Sequence, residues 1–109
     1  GGSGAGVFTA AAEANKMAIG VDSDQALTAA PEVQGVIITS MLKKLDVAVF
    51  EFISAEVDGN FEAGAREFTL ADGGVDFSTT GGRIDDIKDQ LDELKQRIID
   101  GEIEVPTAP

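Results

Sequence analysis

The sequence predicts an α/β fold, and three observations carry that expectation. Two short apolar runs, residues 17–22 (MAIGVD) and 35–39 (GVIIT), have no polar alternation and so suit strands buried on both faces of a parallel sheet. Longer stretches with apolar residues at three- and four-residue spacing alternate with them, as helices do in such folds. Finally, 43% of residues are hydrophobic but only six are aromatic, all Phe, so the interior is built mainly from Val, Ile, Leu and Ala. At 109 residues the chain is one modest domain with room for a real core.

In chain order, the glycine-rich opening GGSGAG precedes an alanine-rich helix, with Ser3 or Thr9 as its cap. The first strand, Met17–Asp22, comes next. SDQALTAAPEVQ contains the breaker Pro31 and carries at most a helical turn across the sheet edge. After the second strand, Ser40 is expected to cap a helix running to about Val57. Its apolar stripe (Met41, Leu45, Ala48, Phe52, with Leu42, Val49, Ile53) would pack on the sheet, and Asp58-Gly59-Asn60 would end it. REFTLA and GVDFS read as two extended pieces separated by Asp72-Gly73-Gly74, and Thr79–Gly82 as a loop. A last helix is expected over Ile84–Ile99, closed by Gly101, with IEVP as a possible edge strand. A strand should precede the first helix and none does, so the sequence looks cut from something longer.

Composition excludes several chemistries. The chain has no Cys and no His, which removes thiolate nucleophiles, Cys/His zinc sites and Ser-His-Asp arrangements. With 20 Asp and Glu against 8 Lys and Arg, its field repels phosphate backbones, so nucleic acid is not an expected partner. No run approaches the roughly 18 apolar residues of a membrane span. Asp22-Ser23-Asp24 opens like a calcium loop, but Ala26 and Leu27 stand where a ligand and a glycine belong, so no metal is expected. No cofactor is called for either.

Four residues are candidates for a binding site. The turn containing Gly1 and Gly2 would expose backbone N–H groups at a helix start, where a hydroxyl, carboxylate or phosphate can be received; the alternative is a simple tight turn. It fails the dinucleotide pattern, because Val7 and Thr9 occupy the positions that need Gly or Ala. Asp22 lies at the C-terminal end of a predicted parallel strand, where ligands of open α/β sheets bind and a carboxylate can accept two bonds from a diol; otherwise it is a loop residue facing water. Ser40-Met41-Leu42-Lys43 spells S-x-x-K, but the S-D-N and K-T-G partners of the penicillin-interacting enzymes are absent. Lys43, near a strand end, would oppose the helix dipole unless it points at an acceptor.

GGSGAGVFTAAAEA, AIGVDSDQ, ITSMLKKLDVAVFEFI, Gly73-Gly74-Val75 and IIDGEIEVP, taken in order, closely resemble the C-terminal part of the basic membrane protein family of substrate-binding lipoproteins, the purine nucleoside receptors of ABC importers. The resemblance covers nearly the whole chain. It implies part of a type I periplasmic-binding-protein fold, two lobes closing over a nucleoside. Residues 1–72 would belong to the C-terminal lobe, and residues 73–109 would form a hinge crossing and a helix returning toward the other lobe. It also implies that Gly1, Gly2, Asp22 and Lys43 bind ligand, with Asp22 on the ribose hydroxyls; Lys44 is adjacent to Lys43, so that match could slip by one. A nucleoside, an ABC permease, and either a missing N-terminal part or a second chain are the implied partners. The implied location is extracytoplasmic, anchored to the cell membrane as a lipoprotein or periplasmic, and the implied role is not enzymatic. A dinucleotide-binding enzyme fragment and a structural fragment without a ligand are the alternatives.

Overall fold

The computed structural model describes residues 3–106. Its elements are α1 (Gly4–Glu13), β1 (Ala18–Asp22), α2 (Gln25–Thr28), α3 (Pro31–Gln34), β2 (Ile37–Lys43), α4 (Leu45–Val57), β3 (Val75–Phe77) and α5 (Lys88–Ile99), with a 3-10 turn at Thr80–Gly82. The strands form one sheet in the order β1-β2-β3. β1 and β2 are parallel, as the paired apolar runs predict, and β3 returns antiparallel to β2 with Met41 opposite Phe77 and Lys43 opposite Val75.

The β1–β2 ladder contains an irregularity that decides which residues are buried. Ala18 faces Ile37, but Ile19 faces Thr39 and Gly20 faces Ser40, so β2 carries one extra residue at Ile38. Such a bulge shifts the alternation of the strand. Ile37 and Ser40, three residues apart, therefore both face the side of Ala18 and Gly20. On that side Phe8, Ala18 and Ile37 form the core, packed by Ala11, Ala26, Ala29, Val33 and Val36 from α1, α2, α3 and their connections. The linker SDQALTAAPEVQ thus carries two four-residue helices, with Pro31 at the first turn of α3, where its missing N–H costs nothing.

Four expectations need correction. Ser40 is not a helix cap but a fully buried strand residue, and β2 runs on through Met41, Leu42 and Lys43 so that α4 starts only at Leu45. Met41 and Leu42 share helical spacing with the apolar residues of α4, yet they pair with both β1 and β3, and Lys43 pairs with β3. The sheet is only partly covered on its second face: α5 flanks it through Leu91, Leu94 and Ile98, but Ile19, Val21 and Met41 stay exposed there. Likewise α4 buries no residue, and Leu45, Val49, Ile53 and Val57 are 58–79% exposed along one stripe.

Third, REFTLA is not a strand. The Asp72 carboxylate accepts from the Thr69 N–H (3.0 Å) and hydroxyl (2.9 Å), and Gly74 N–H reaches Thr69 O at 2.9 Å, a turn that consumes the groups a ladder would need. The segment is instead held by Phe68, whose ring lies 5.8 Å from that of Phe52 on α4 and under the Arg66 guanidinium. Last, α5 begins at Lys88 rather than Ile84, although Ile84 is buried, and Ile103–Pro106 forms no strand.

Helix ends obey the expected chemistry. α4 closes with Asn60 N–H on Ala55 O and Gly59 N–H on Glu56 O, Gly59 taking φ +72°. α5 closes the same way on Gly101, at φ +76°. The radius of gyration is 16.6 Å, against roughly 13 Å for a compact domain of about 100 residues, in keeping with the open apolar faces.

Candidate functional site

At the C-terminal ends of β1 and β2 two of the four candidate residues meet. Lys43 Nζ lies 2.8 Å from Asp22 Oδ1, both side chains about half exposed. Lys43 is the last residue of β2 rather than part of a helix, so it does not oppose a helix dipole. Lys44 faces elsewhere, 3.7 Å from Asp46. Gly1 and Gly2 lie outside the described residues.

Asp22 has an unusual backbone. Its φ is +72°, and the N–H of Ser23 donates to Val21 O at 3.0 Å, closing a three-residue turn around it. A γ-turn of this left-handed kind is rare, and a non-glycine residue held there costs of order 1–3 kcal/mol. The turn takes Asp22 out of the strand alternation and presents its carboxylate at the sheet end. The hydrogen bond and charge of Lys43 hold that carboxyl below the ordinary aspartate range.

Behind the pair lies a polar cluster that sequence reasoning missed. The Gln25 side-chain carbonyl accepts from Val21 N–H at 2.8 Å, and Gln25 N–H donates to Ser40 Oγ at 3.1 Å. Buried Ser78 N–H donates to Ser40 O, Thr39 Oγ1 donates to Ser78 O, and Ser78 Oγ donates to Asp24 Oδ2 at 2.6 Å. Thr80 Oγ1 donates to the same carboxylate oxygen. Burial pushes the Asp24 carboxyl up, but the Ser78 and Thr80 hydroxyls outweigh it and hold it below the usual range. The other Asp24 oxygen is buried without a hydrogen-bond partner. The available signal was DSDQ directly after a strand: Asp24 and Gln25 are polar residues where the chain turns back over the sheet.

Beside Lys43, a depression of about 230 Å³ is lined by Lys43, Lys44, Leu45, Phe68 and Gly74, among others. Lys44 N–H donates to Gly74 O at 2.8 Å, tying the start of α4 to the turn before β3. Among the described residues no cluster of carboxylates could hold a metal ion. The arrangement suits a neutral polar ligand: an ionised carboxylate with about four acceptor positions and an ammonium with three donors, side by side in water's reach.

The parallel pair with polar residues at its strand ends belongs to an α/β fold shared with solute-binding proteins. It superposes on a solute-binding protein of an ABC transporter system from Conexibacter woesei with a TM-score of 0.72 at 23% identity, covering 95% of this chain and 35% of that one. A counterpart from Aeropyrum pernix gives 0.64 at 27% identity, covering 94% and 37%. The chain belongs to the PnrA-like substrate-binding proteins of ABC transporters, whose family profile matches residues 1–108. It is also 34% identical, over its whole length, to the CD4+ T-cell-stimulating antigens of Listeria monocytogenes and Listeria innocua. The chain spans 34% of the length of those relatives.

Proposed function

We propose that this chain forms the ribose side of a nucleoside-binding site, probed best by purine nucleosides, in an extracytoplasmic receptor that delivers its ligand to an ABC permease. The observation that carries this reading is the Asp22–Lys43 pair at the ends of two adjacent parallel strands. Asp22 accepts from the vicinal hydroxyls, Lys43 keeps it ionised and donates to the sugar, and Gly1 and Gly2 add backbone N–H groups. The ligand is bound and released unchanged, so the receptor is not an enzyme. In this reading a lipid anchor holds the receptor at the membrane. Separately, no helix of the described residues is long and apolar enough to cross one.

In the same proposal residues 1–72 belong to one lobe, and residues 73–109 make the crossing and the helix that returns toward the other. Gly73, at φ +71°, suits a crossing that changes its dihedrals. The exposed faces of β1 and α4 are covered by the rest of a two-lobed receptor, an N-terminal part of the same protein or a second chain.

Titration calorimetry of the native full-length protein with inosine, guanosine, the corresponding free bases and NAD tests the reading. Nucleosides should bind, and Asp22→Ala should abolish their binding while weakening the free bases less. Equal losses for nucleoside and base would remove the diol role, and tight binding of NAD alone would replace the receptor reading.

A further inference from the structure

Asp22 meets Lys43 from a backbone held in the left-handed turn, and nothing in an aspartate residue favours that state enough to hold it alone. The restraint must come from its neighbours. Val21 supplies both ends of the answer: its carbonyl takes the Ser23 N–H inside the turn, and its N–H is taken by the Gln25 side-chain carbonyl at 2.8 Å. Gln25 is in turn fixed by its own N–H on Ser40 Oγ, at 3.1 Å, and Ser40 is fully buried. Gly20 leaves space for this arrangement, since a β-carbon there would come within 3.0 Å of both Gln25 Cβ and Oε1.

We propose that Gln25 is a positioning residue: anchored by Ser40, its side-chain carbonyl clamps Val21 and thereby holds Asp22 in the left-handed turn that presents its carboxylate to Lys43 and to ligand. Only the ligand clause rests on the nucleoside reading; the clamp on Asp22 stands without it. The clamp is local to one loop, so it fixes direction rather than global stability. A residue of merely structural importance would lower stability and leave the Asp22–Lys43 contact intact.

The experiment is a carbon-detected NMR titration of the aspartate carboxyls in the full chain, for wild type, Gln25→Met and Ile37→Val. Methionine conserves the volume of Gln25 and removes the acceptor; Ile37→Val loosens the core without touching the turn. In Gln25→Met the Asp22 titration should move up toward the ordinary aspartate value while Asp76 stays where it is. Ile37→Val should lower the thermal midpoint and leave Asp22 unmoved. Ser40→Ala, which removes the anchor, should shift Asp22 in the same direction as Gln25→Met, and serves in its place if that variant does not fold. An Asp22 titration unchanged in the folded variants, or moved equally by Ile37→Val, overturns the clamp. Nucleoside affinity of the same proteins is read separately, with a loss of about tenfold expected in Gln25→Met. If Asp22 shifts and nucleoside affinity does not, the clamp stands and the ribose reading of Asp22 falls.

Discussion

Gly20 and Ser40 face each other across the parallel β1–β2 ladder so closely that a β-carbon on Gly20 would lie 2.3 Å from Ser40 Oγ. The glycine is needed for space, not for dihedral freedom. In Gly20→Ala the hydroxyl must rotate or retreat, and either movement breaks its bond to Gln25 N–H. The expected cost is about 1–3 kcal/mol by urea denaturation, in the range of other overpacking changes. Gly20→Ala combined with Ser40→Ala, which restores space, should recover part of that loss.

The core and the α4 stripe make opposite predictions for similar residues. Ile37 is 1% exposed at the start of the central strand, so Ile37→Ala should destabilise the chain by about 2–5 kcal/mol. Val49 is 58% exposed on α4, so Val49→Ala should change the stability of the isolated chain by no more than about 0.5 kcal/mol. A large loss at Val49 in the isolated chain would show that the stripe is covered there, for instance by self-association. Sedimentation of the same sample identifies that case.

The features legible in the sequence are those whose signal is local. The parallel pairing, the presence of a last helix and the helix stops at Gly59 and Gly101 depend on runs of a few residues and stand as expected, whereas β2 runs on to Lys43 and α5 starts only at Lys88. Asp22 and Lys43 were identifiable singly; their contact arises because β1 and β2 end together. The bulge at Ile38 was invisible, since it belongs to a pairing between strands rather than to either strand's pattern. For the same reason Ser40 reads as a cap: S-x-x-K has helical spacing, and only pairing of Ser40 to β1, of Lys43 to β3 and of Met41 and Leu42 to both overrides it. The Asp24–Ser78–Thr80 cluster joins residues more than fifty positions apart, a separation no local pattern spans.

Acid should unfold the chain through carboxylates that folding holds ionised. For Asp76, burial pushes the carboxyl up, but the hydrogen bond from Lys95 at 3.0 Å and the Phe77 N–H hold it below the ordinary range. Asp24 is held low by Ser78 and Thr80 against its own burial. A folded pKa depressed below the unfolded value of about 3.9 contributes stability that is fully present above that value and is lost as pH falls through the folded pKa. Stability followed by circular dichroism should therefore be flat toward neutrality and fall below about pH 4. Ser78→Ala removes one of the donors that keep Asp24 ionised, so its acid transition should begin at higher pH than that of the wild type. A transition displaced to lower pH in Ser78→Ala would contradict this assignment.

The two glycines before β3 should fail for different reasons when replaced. Gly73 sits at φ +71° with nothing near its missing side chain, so Gly73→Ala suffers only from a left-handed backbone, about 1–2 kcal/mol. Gly74 is buried, and a β-carbon there would come within 2.3 Å of Phe68 Cβ and 3.1 Å of the Phe68 backbone. Neither atom is the end of a flexible side chain, so Phe68 itself must move. Its ring packs against Phe52 and beneath Arg66, and Gly74 O holds Lys44 N–H beside the Asp22–Lys43 pair. Gly74→Ala should therefore disturb both the aromatic cluster and the depression beside Lys43. In a proton NMR comparison, Gly73→Ala should leave the Phe52 and Phe68 ring shifts near those of wild type, whereas Gly74→Ala should move them. Gly73→Asn, which tolerates positive φ, should recover most of the loss at position 73, while Gly74→Asn should be at least as damaging as Gly74→Ala.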